Sequence, residues 1–231
     1  ALAEEISALI LEPLVQCAGS MRMYHPDYLR RARAACDRHG ALLIMDEIPT
    51  GLGKTDRMFA FDHDDVTPDI VVLGKALGGG VLPIAAVIAR QGLDVCGDFA
   101  IGHYTHEKNP VTARAALTTL QIIEDEGLVD RSASLGAHAL DRLRSFAQHS
   151  RYVGDVRGRG LMMGIEIVED RASKAAAPDR AERIYYRCLE AGLSFKTSAG
   201  CVLTLSPPLT ISRDELDNAL AIVEAAILAE G

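Results

Sequence analysis

Continuous apolar runs and helical patterns alternate along the first half of the chain. Ala8 to Leu11 is one run, stopped at Glu12-Pro13. Ala41 to Met45 is another, cut off by Asp46-Glu47, and Ile70 to Leu73 is ended by Gly74-Lys75. Short unbroken runs of this kind predict strands buried on both faces. Between them, Pro26 to His39 predicts a helix, with Pro26 in its first turn and Gly40 as a left-handed stop. Pro83 to Ala89 predicts a further strand. Asn109-Pro110 then opens a helix, with Asn109 as its N-cap and Gly127 at its close. Strands joined by crossovers of this length predict a mostly parallel, doubly wound α/β sheet.

After a second helix, from Leu128 to His149, the pattern changes. Val153 to Val168 predicts two short strands around Gly158-Arg159-Gly160. A loop from Ala172 to Pro178 leads into a helix ending at Gly192, and strands near Leu193 to Lys196 and Cys201 to Leu205 follow. The last helix starts at Ser212, where Glu215 completes a capping box. This half predicts a smaller α+β domain and a division of the chain into residues 1–128 and 129–231.

Composition narrows the function classes. The 231 residues are 48% hydrophobic and 24% charged, which excludes a disordered chain. A net charge of −8 is the wrong sign for tracking phosphates, so no nucleic-acid partner is expected. The longest mostly apolar stretch, Leu77 to Ala89, is interrupted by glycines and a proline and is too short to span a membrane. Cys17, Cys36, Cys96, Cys188 and Cys201 are scattered, with no C-x-x-C pair, and predict buried thiols in a reducing, cytoplasmic setting. The chain opens without Met or a signal-peptide region and enters a strand within a few residues, so an upstream segment is expected to be missing.

In parallel α/β sheets, ligands bind beyond the carboxyl ends of the strands. Two predicted strands end in polar residues, at Asp46-Glu47 and at Lys75. Either alone is explained by a strand surfacing; for the pair, two chemistries compete. The first is nucleotide hydrolysis, with Ala41 to Glu47 as a magnesium-holding strand. It requires G-x-x-x-x-G-K-[ST], but Asp69 stands at the first Gly position, Ala76 replaces the hydroxyl, and the Lys follows the carboxylate instead of preceding it. That reading needs a phosphate loop from outside this sequence. The second is pyridoxal phosphate (PLP) chemistry. A strand-end Lys in a partly desolvated pocket can form a Schiff base with an aldehyde. A carboxylate facing the pyridine nitrogen keeps the ring electron-withdrawing. Lys75 follows Asp46 by 29 residues, room for one crossover between adjacent strands, and Gly74 with Gly78-Gly79-Gly80 permits close backbone approach.

Asp46-Glu47-Ile48-Pro49-Thr50-Gly51-Leu52-Gly53-Lys54-Thr55, Pro68-Asp69-Ile70 and Leu73-Gly74-Lys75-Ala76-Leu77-Gly78-Gly79-Gly80 resemble the core of the class III aminotransferases, PLP enzymes of fold type I. Glu12-Pro13 and Gly19 to Pro26 resemble the segment before it, in the diaminopelargonate transaminase branch. Tyr104 to Pro110 is similar to the family's T-x-x-x-N-P element, most of all in the lactam racemases. Arg157-Gly158-Arg159-Gly160-Leu161 and Ser206-Pro207-Pro208-Leu209 resemble the small-domain signatures. The resemblance covers the whole chain. It implies a PLP transferase-like fold whose N-terminal part is absent, with Lys75 as the Schiff-base lysine, Asp46 as the pyridinium partner and Ile48 against one face of the ring. It also implies that Thr105 reaches the cofactor phosphate of a neighbouring subunit, hence a homodimer with shared sites.

Three departures bear on activity. The missing N-terminal part would supply a Gly-Ser or Gly-Thr phosphate turn and a stacking aromatic. Pro49 stands where many relatives carry a Gln that bonds the cofactor's phenolic oxygen. Thr204 stands where many carry an Arg that clamps a substrate carboxylate, and Lys196 is the cation left for that task. The expected activity is a transaminase acting on an amine or amino acid and a 2-oxo acid. A lyase acting on an aminophosphonate or amino-phosphate, an amino-acid or lactam racemase, and a catalytically silent fragment stay open. His103 and His106 have a metal-like H-x-x-H spacing without the rest of a zinc motif, so no metal is expected. Tyr24 reads as a loop tyrosine, Arg157 and Arg159 as braces of a turn, and Met162-Met163 as core.

Overall fold

The computed structural model describes residues 5–99, 102, 105 and 107–231. The chain divides into two compact units. One comprises Ala1–Leu14, His25–Leu52 and Met58–Gly127; the other comprises Val15–Tyr24, Gly53–Arg57 and Leu128–Gly231. Two short early segments thus join the second unit, and nothing in the hydrophobic pattern marks them.

The first unit is built on a four-stranded sheet, with β1 (Ala8–Leu11), β4 (Leu42–Asp46), β5 (Ile70–Leu73) and β6 (Ala86–Ala89) side by side in that order. β1, β4 and β5 run parallel and β6 is antiparallel to β5, so the sheet is mostly parallel with one reversed edge. β6 starts later than Pro83, which lacks the N–H a ladder needs. No strand among the described residues pairs with its outer edge, and Val87 and Ile88 are 69% and 52% exposed. Helix α1 (Tyr28–His39) packs on β4. It begins two residues after Pro26; Asp27 takes the cap position but turns its carboxylate to Arg30, 3.0 Å away. Gly40 ends the helix at φ +66°, as its position predicts. Leu29, Ala32 and Cys36 of α1 meet Leu43 and Met45 in the core. Helix α2 (Pro110–Asp125) starts at Asn109, whose side chain accepts from Val111 N.

Asp69, before β5, pins the amino-terminal side of the sheet. One of its oxygens accepts from Leu43 N and from Arg33, both at 2.8 Å, and Arg90 approaches the other at 3.1 Å. Burial alone would raise this carboxyl, but the Leu43 N–H and the Arg33 guanidinium outweigh it and hold it below the usual range. With that side fixed, the carboxyl ends of β4 and β5 stand at the opposite side.

The second unit centres on an antiparallel sheet, in the order β7 (Val153–Arg159), β8 (Met162–Ile167), β10 (Val202–Leu205) and β9 (Lys196–Ser198). The β7–β8 turn lies at Gly160-Leu161, so Gly158 belongs to the strand. β9 starts after Leu193, because Leu193 N closes the preceding helix on Cys188 O at 2.8 Å. Helices α3 (Leu128–His149), α4 (Pro178–Glu190) and α5 (Arg213–Leu228) complete the core, and Ser212 with Glu215 forms the expected capping box. A small hairpin, β2 (Val15–Gln16) and β3 (Arg22–Met23), forms where the sequence carries no strand pattern. In its turn Ser20 and Met21 take φ of +66° and +52°. Arg157 holds that turn by donating to Ser20 O at 2.6 Å and Met21 O at 2.9 Å.

Candidate active site

The two predicted residues lie at the carboxyl ends of neighbouring parallel strands. Asp46 is the last residue of β4 and stands opposite Val72 of β5. The chain leaves β5 at Leu73, passes Gly74 and enters a short 3-10 turn, Lys75–Gly78. Lys75 opens that turn with φ at +48°, a left-handed conformation that a side-chain-bearing residue adopts at a cost of roughly 1–2 kcal/mol. Its side chain is exposed, with no hydrogen bond or ion pair among the described residues. The sequence pointed to a partly desolvated amine; the described residues leave it open to water.

Asp46 is half-buried, and its Oδ1 accepts from Ile48 N at 3.0 Å. That short loop bends the chain back at the strand end and brings Ile48 over the neighbouring strand. A Cβ built on Gly74 would lie 3.5 Å from Ile48 Cγ1, ordinary contact, so Ile48 packs beside the residue that precedes Lys75. A PLP ring needs an amine at its aldehyde end, a carboxylate at its pyridine nitrogen and an apolar side chain against its face. Lys75, Asp46 and Ile48 supply these three types on one rim of the first unit, and this donor set fits the group. Pro49, half-buried in the same turn, offers no donor.

Sequence reasoning gave Glu47 no role beyond the discarded magnesium strand. The structure buries it to 1% exposure. Oε2 accepts from Thr50 Oγ1 at 2.6 Å and Oε1 from Phe61 N at 3.0 Å. Burial pushes its carboxyl up to about 7, and the bonds from Thr50, Phe61 and Ala60 only partly offset this. The Glu-x-x-Thr spacing was the available signal. Phe61 comes from too far along the chain to be anticipated.

The other predicted residues are more scattered. Thr105 is exposed, in the turn before α2; Tyr104, His103 and His106 lie outside the described residues, and among the described residues no cluster resembles a metal site. Thr204 is buried on β10, its hydroxyl 2.9 Å from Ser198 Oγ, and Lys196 stands beside it on β9. Both line a second-unit cavity of about 360 Å³, together with Phe195, Ser206 and Pro207. Lys196 is exposed, with no polar partner among the described residues. Arg159 pairs with Asp56 at 3.1 Å and Arg157 braces the β2–β3 hairpin, so both hold early segments of the chain rather than the turn between β7 and β8 that the sequence suggests. All five cysteines are free thiols. No helix among the described residues is long and apolar enough to cross a membrane.

The chain is similar to many known proteins. The chain is 44% identical over 200 residues to an (R)-1-hydroxy-2-aminoethylphosphonate ammonia-lyase of Vibrio splendidus, covering 87% of this chain and 42% of that protein. It is 41% identical to a leucine/methionine racemase of Thermococcus litoralis, covering 97% of this chain and 50% of that protein. Among solved structures, a PLP-bound amine transaminase from an uncultivated Pseudomonas species superposes with a TM-score of 0.92 at 35% identity, covering 99% of this chain and 53% of that one. The chain therefore spans about half the length of the relatives it matches. The aminotransferase class-III model matches residues 1–227, and the chain belongs to that family of PLP-dependent enzymes.

Proposed function

We propose that the protein containing this chain is a PLP-dependent transaminase, with Lys75 as the amine that holds the cofactor and Asp46 as the partner of its pyridine nitrogen. The observation that carries this reading is their placement at the carboxyl ends of adjacent parallel strands, with Ile48 packed beside Gly74. When bound, PLP supplies a ring that draws electrons from the substrate's α-carbon. Lys75 Nζ, once free, would take the proton from the substrate's α-carbon as general base and deliver it to the cofactor's aldehyde carbon as general acid, the shift that amino transfer requires. Asp46 keeps the pyridine nitrogen protonated through a charge-assisted hydrogen bond. Ile48 orients the ring by apolar contact. Thr105, before the N-terminus of α2, is proposed to bond the phosphate held by a second copy in a homodimer. A cytoplasmic setting, resting on the free thiols, belongs to the same reading.

Borohydride reduction of the full-length protein with PLP, followed by peptide mass mapping, tests the assignment. Label is expected on Lys75, absent from Lys75→Ala, and retained in Asp46→Asn while turnover falls about a hundredfold or more. Label at another lysine, or none, overturns it.

A second reading is ammonia elimination from an aminophosphonate. The 44% identity to an ammonia-lyase favours it, as does Thr204 in place of a carboxylate-clamping Arg, with Lys196 left to meet an acidic group. Ammonia released without any 2-oxo acid present would establish elimination. Amino transfer that requires the acceptor would establish transamination. A Lys196→Ala variant with unchanged KM would remove Lys196 from substrate contact.

A further inference from the structure

We propose that Glu47 is the positioning residue of this site: its buried carboxylate ties the turn after β4 to the helical turn at Ala60–His63 and so fixes how Asp46 and Ile48 are presented. The proposal rests on the reading of Asp46 and Ile48 given above. Consecutive residues at a strand end point to opposite faces, so Asp46 reaches the rim while Glu47 turns inward. Every polar group of Glu47 is engaged. Its N–H donates to Val72 O of β5 and its carbonyl accepts from Gly51 N, both at 3.0 Å. Its carboxylate receives Thr50 Oγ1 from within the turn and Phe61 N from the next element, with Ala60 N–H contributing. The turn is thus closed at both ends, and Ile48 N is left directed at Asp46 Oδ1.

A structural role in packing alone would not select this side chain. A buried carboxylate is costly to desolvate, and the like charge of Asp62 adds to that cost. A carboxylate does offer two acceptor oxygens to donors arriving from two elements; a Gln offers one, and an apolar residue none. The geometry therefore calls for Glu where positional accuracy is worth more than stability.

The test uses the full-length protein in Glu47→Ala, Glu47→Gln and Thr50→Val forms, each made also with Asp46→Asn. Three quantities are read: amide exchange at residues 48–51 and 60–61 without cofactor, the PLP dissociation constant, and the pH midpoint of the bound cofactor's visible absorption. Glu47→Ala is expected to speed exchange at both segments, to raise the dissociation constant about tenfold and to displace the midpoint. Thr50→Val should act in the same direction about threefold, and Glu47→Gln should fall between wild type and Ala. In the Asp46→Asn background the loss should shrink, because the part of the effect that passes through Asp46 is gone while the part through Ile48 stays. Equal losses in both backgrounds, or unchanged exchange at 48–51, overturn the proposal. If Glu47→Ala does not fold, the Thr50→Val cycle decides by the same criteria. A wild-type protein that takes up no PLP sinks the cofactor reading instead, and exchange at 48–51 then decides the clamp alone.

Discussion

Gly136 of α3 and Gly160 of the β7–β8 turn meet backbone to backbone: a Cβ built on Gly136 would lie 2.2 Å from the Gly160 carbonyl oxygen. Nothing flexible stands at that contact. Gly136→Ala must push the helix off the sheet or unwind the turn, and is expected to cost about 3 kcal/mol. Urea unfolding checks this; a loss below about 1 kcal/mol would show that helix and turn separate freely.

Glu47 makes stability depend on pH in a defined direction. Its carboxyl is raised from 4.5 to about 7, so across that window the folded protein binds the proton and the unfolded chain has released it. Stability therefore falls as pH rises through the window and is level above it, for a total on the order of 3 kcal/mol. Glu47→Gln should flatten this slope. Unfolding midpoints at about pH 5 and about pH 8 give the comparison.

Lys54 acts at the alkaline end. Burial lowers its ammonium from 10.5 to about 8, while Nζ donates to Pro207 O at 2.7 Å. Between those values the unfolded chain holds the proton that the folded protein has lost. Stability is therefore expected to rise as pH climbs through this range, against the general alkaline trend. In Lys54→Met the rise should be absent from thermal melts in that interval.

The left-handed backbone at Lys75 separates chemistry from folding. Lys75→Gly removes the side-chain penalty at φ +48°, whereas Lys75→Ala keeps it. The Gly variant should be the more stable of the two by about 1 kcal/mol, with neither taking up reducible PLP. Paired denaturation curves decide the matter; an Ala variant equal to Gly would mean that the turn relaxes when the lysine is gone.

The β4 and β5 strands and their polar ends were legible because unbroken apolar runs ended abruptly, at Asp46 and at Gly74-Lys75. Helix α3 and the Asn109 and Ser212 caps were equally plain, since capping chemistry is local. What escaped the sequence was set by distant neighbours. Ser20 and Met21 adopt left-handed turns while Arg157, far along the chain, donates to their carbonyl oxygens. Glu47 is buried because Phe61 N arrives to meet it, and no local pattern records that arrival. Thr204 holds the place of a carboxylate-clamping Arg in the sequence, and only strand pairing reveals that its hydroxyl faces Ser198.

Among the described residues no strand takes up the outer edge of β6, where Val87 and Ile88 are exposed. Such an edge is a template for another copy of itself. A preparation of this chain on its own is expected to turn cloudy as it is concentrated, well before heat unfolds it. Shelf life would then be governed by dilution, and a short peptide that zips onto β6 should keep the solution clear.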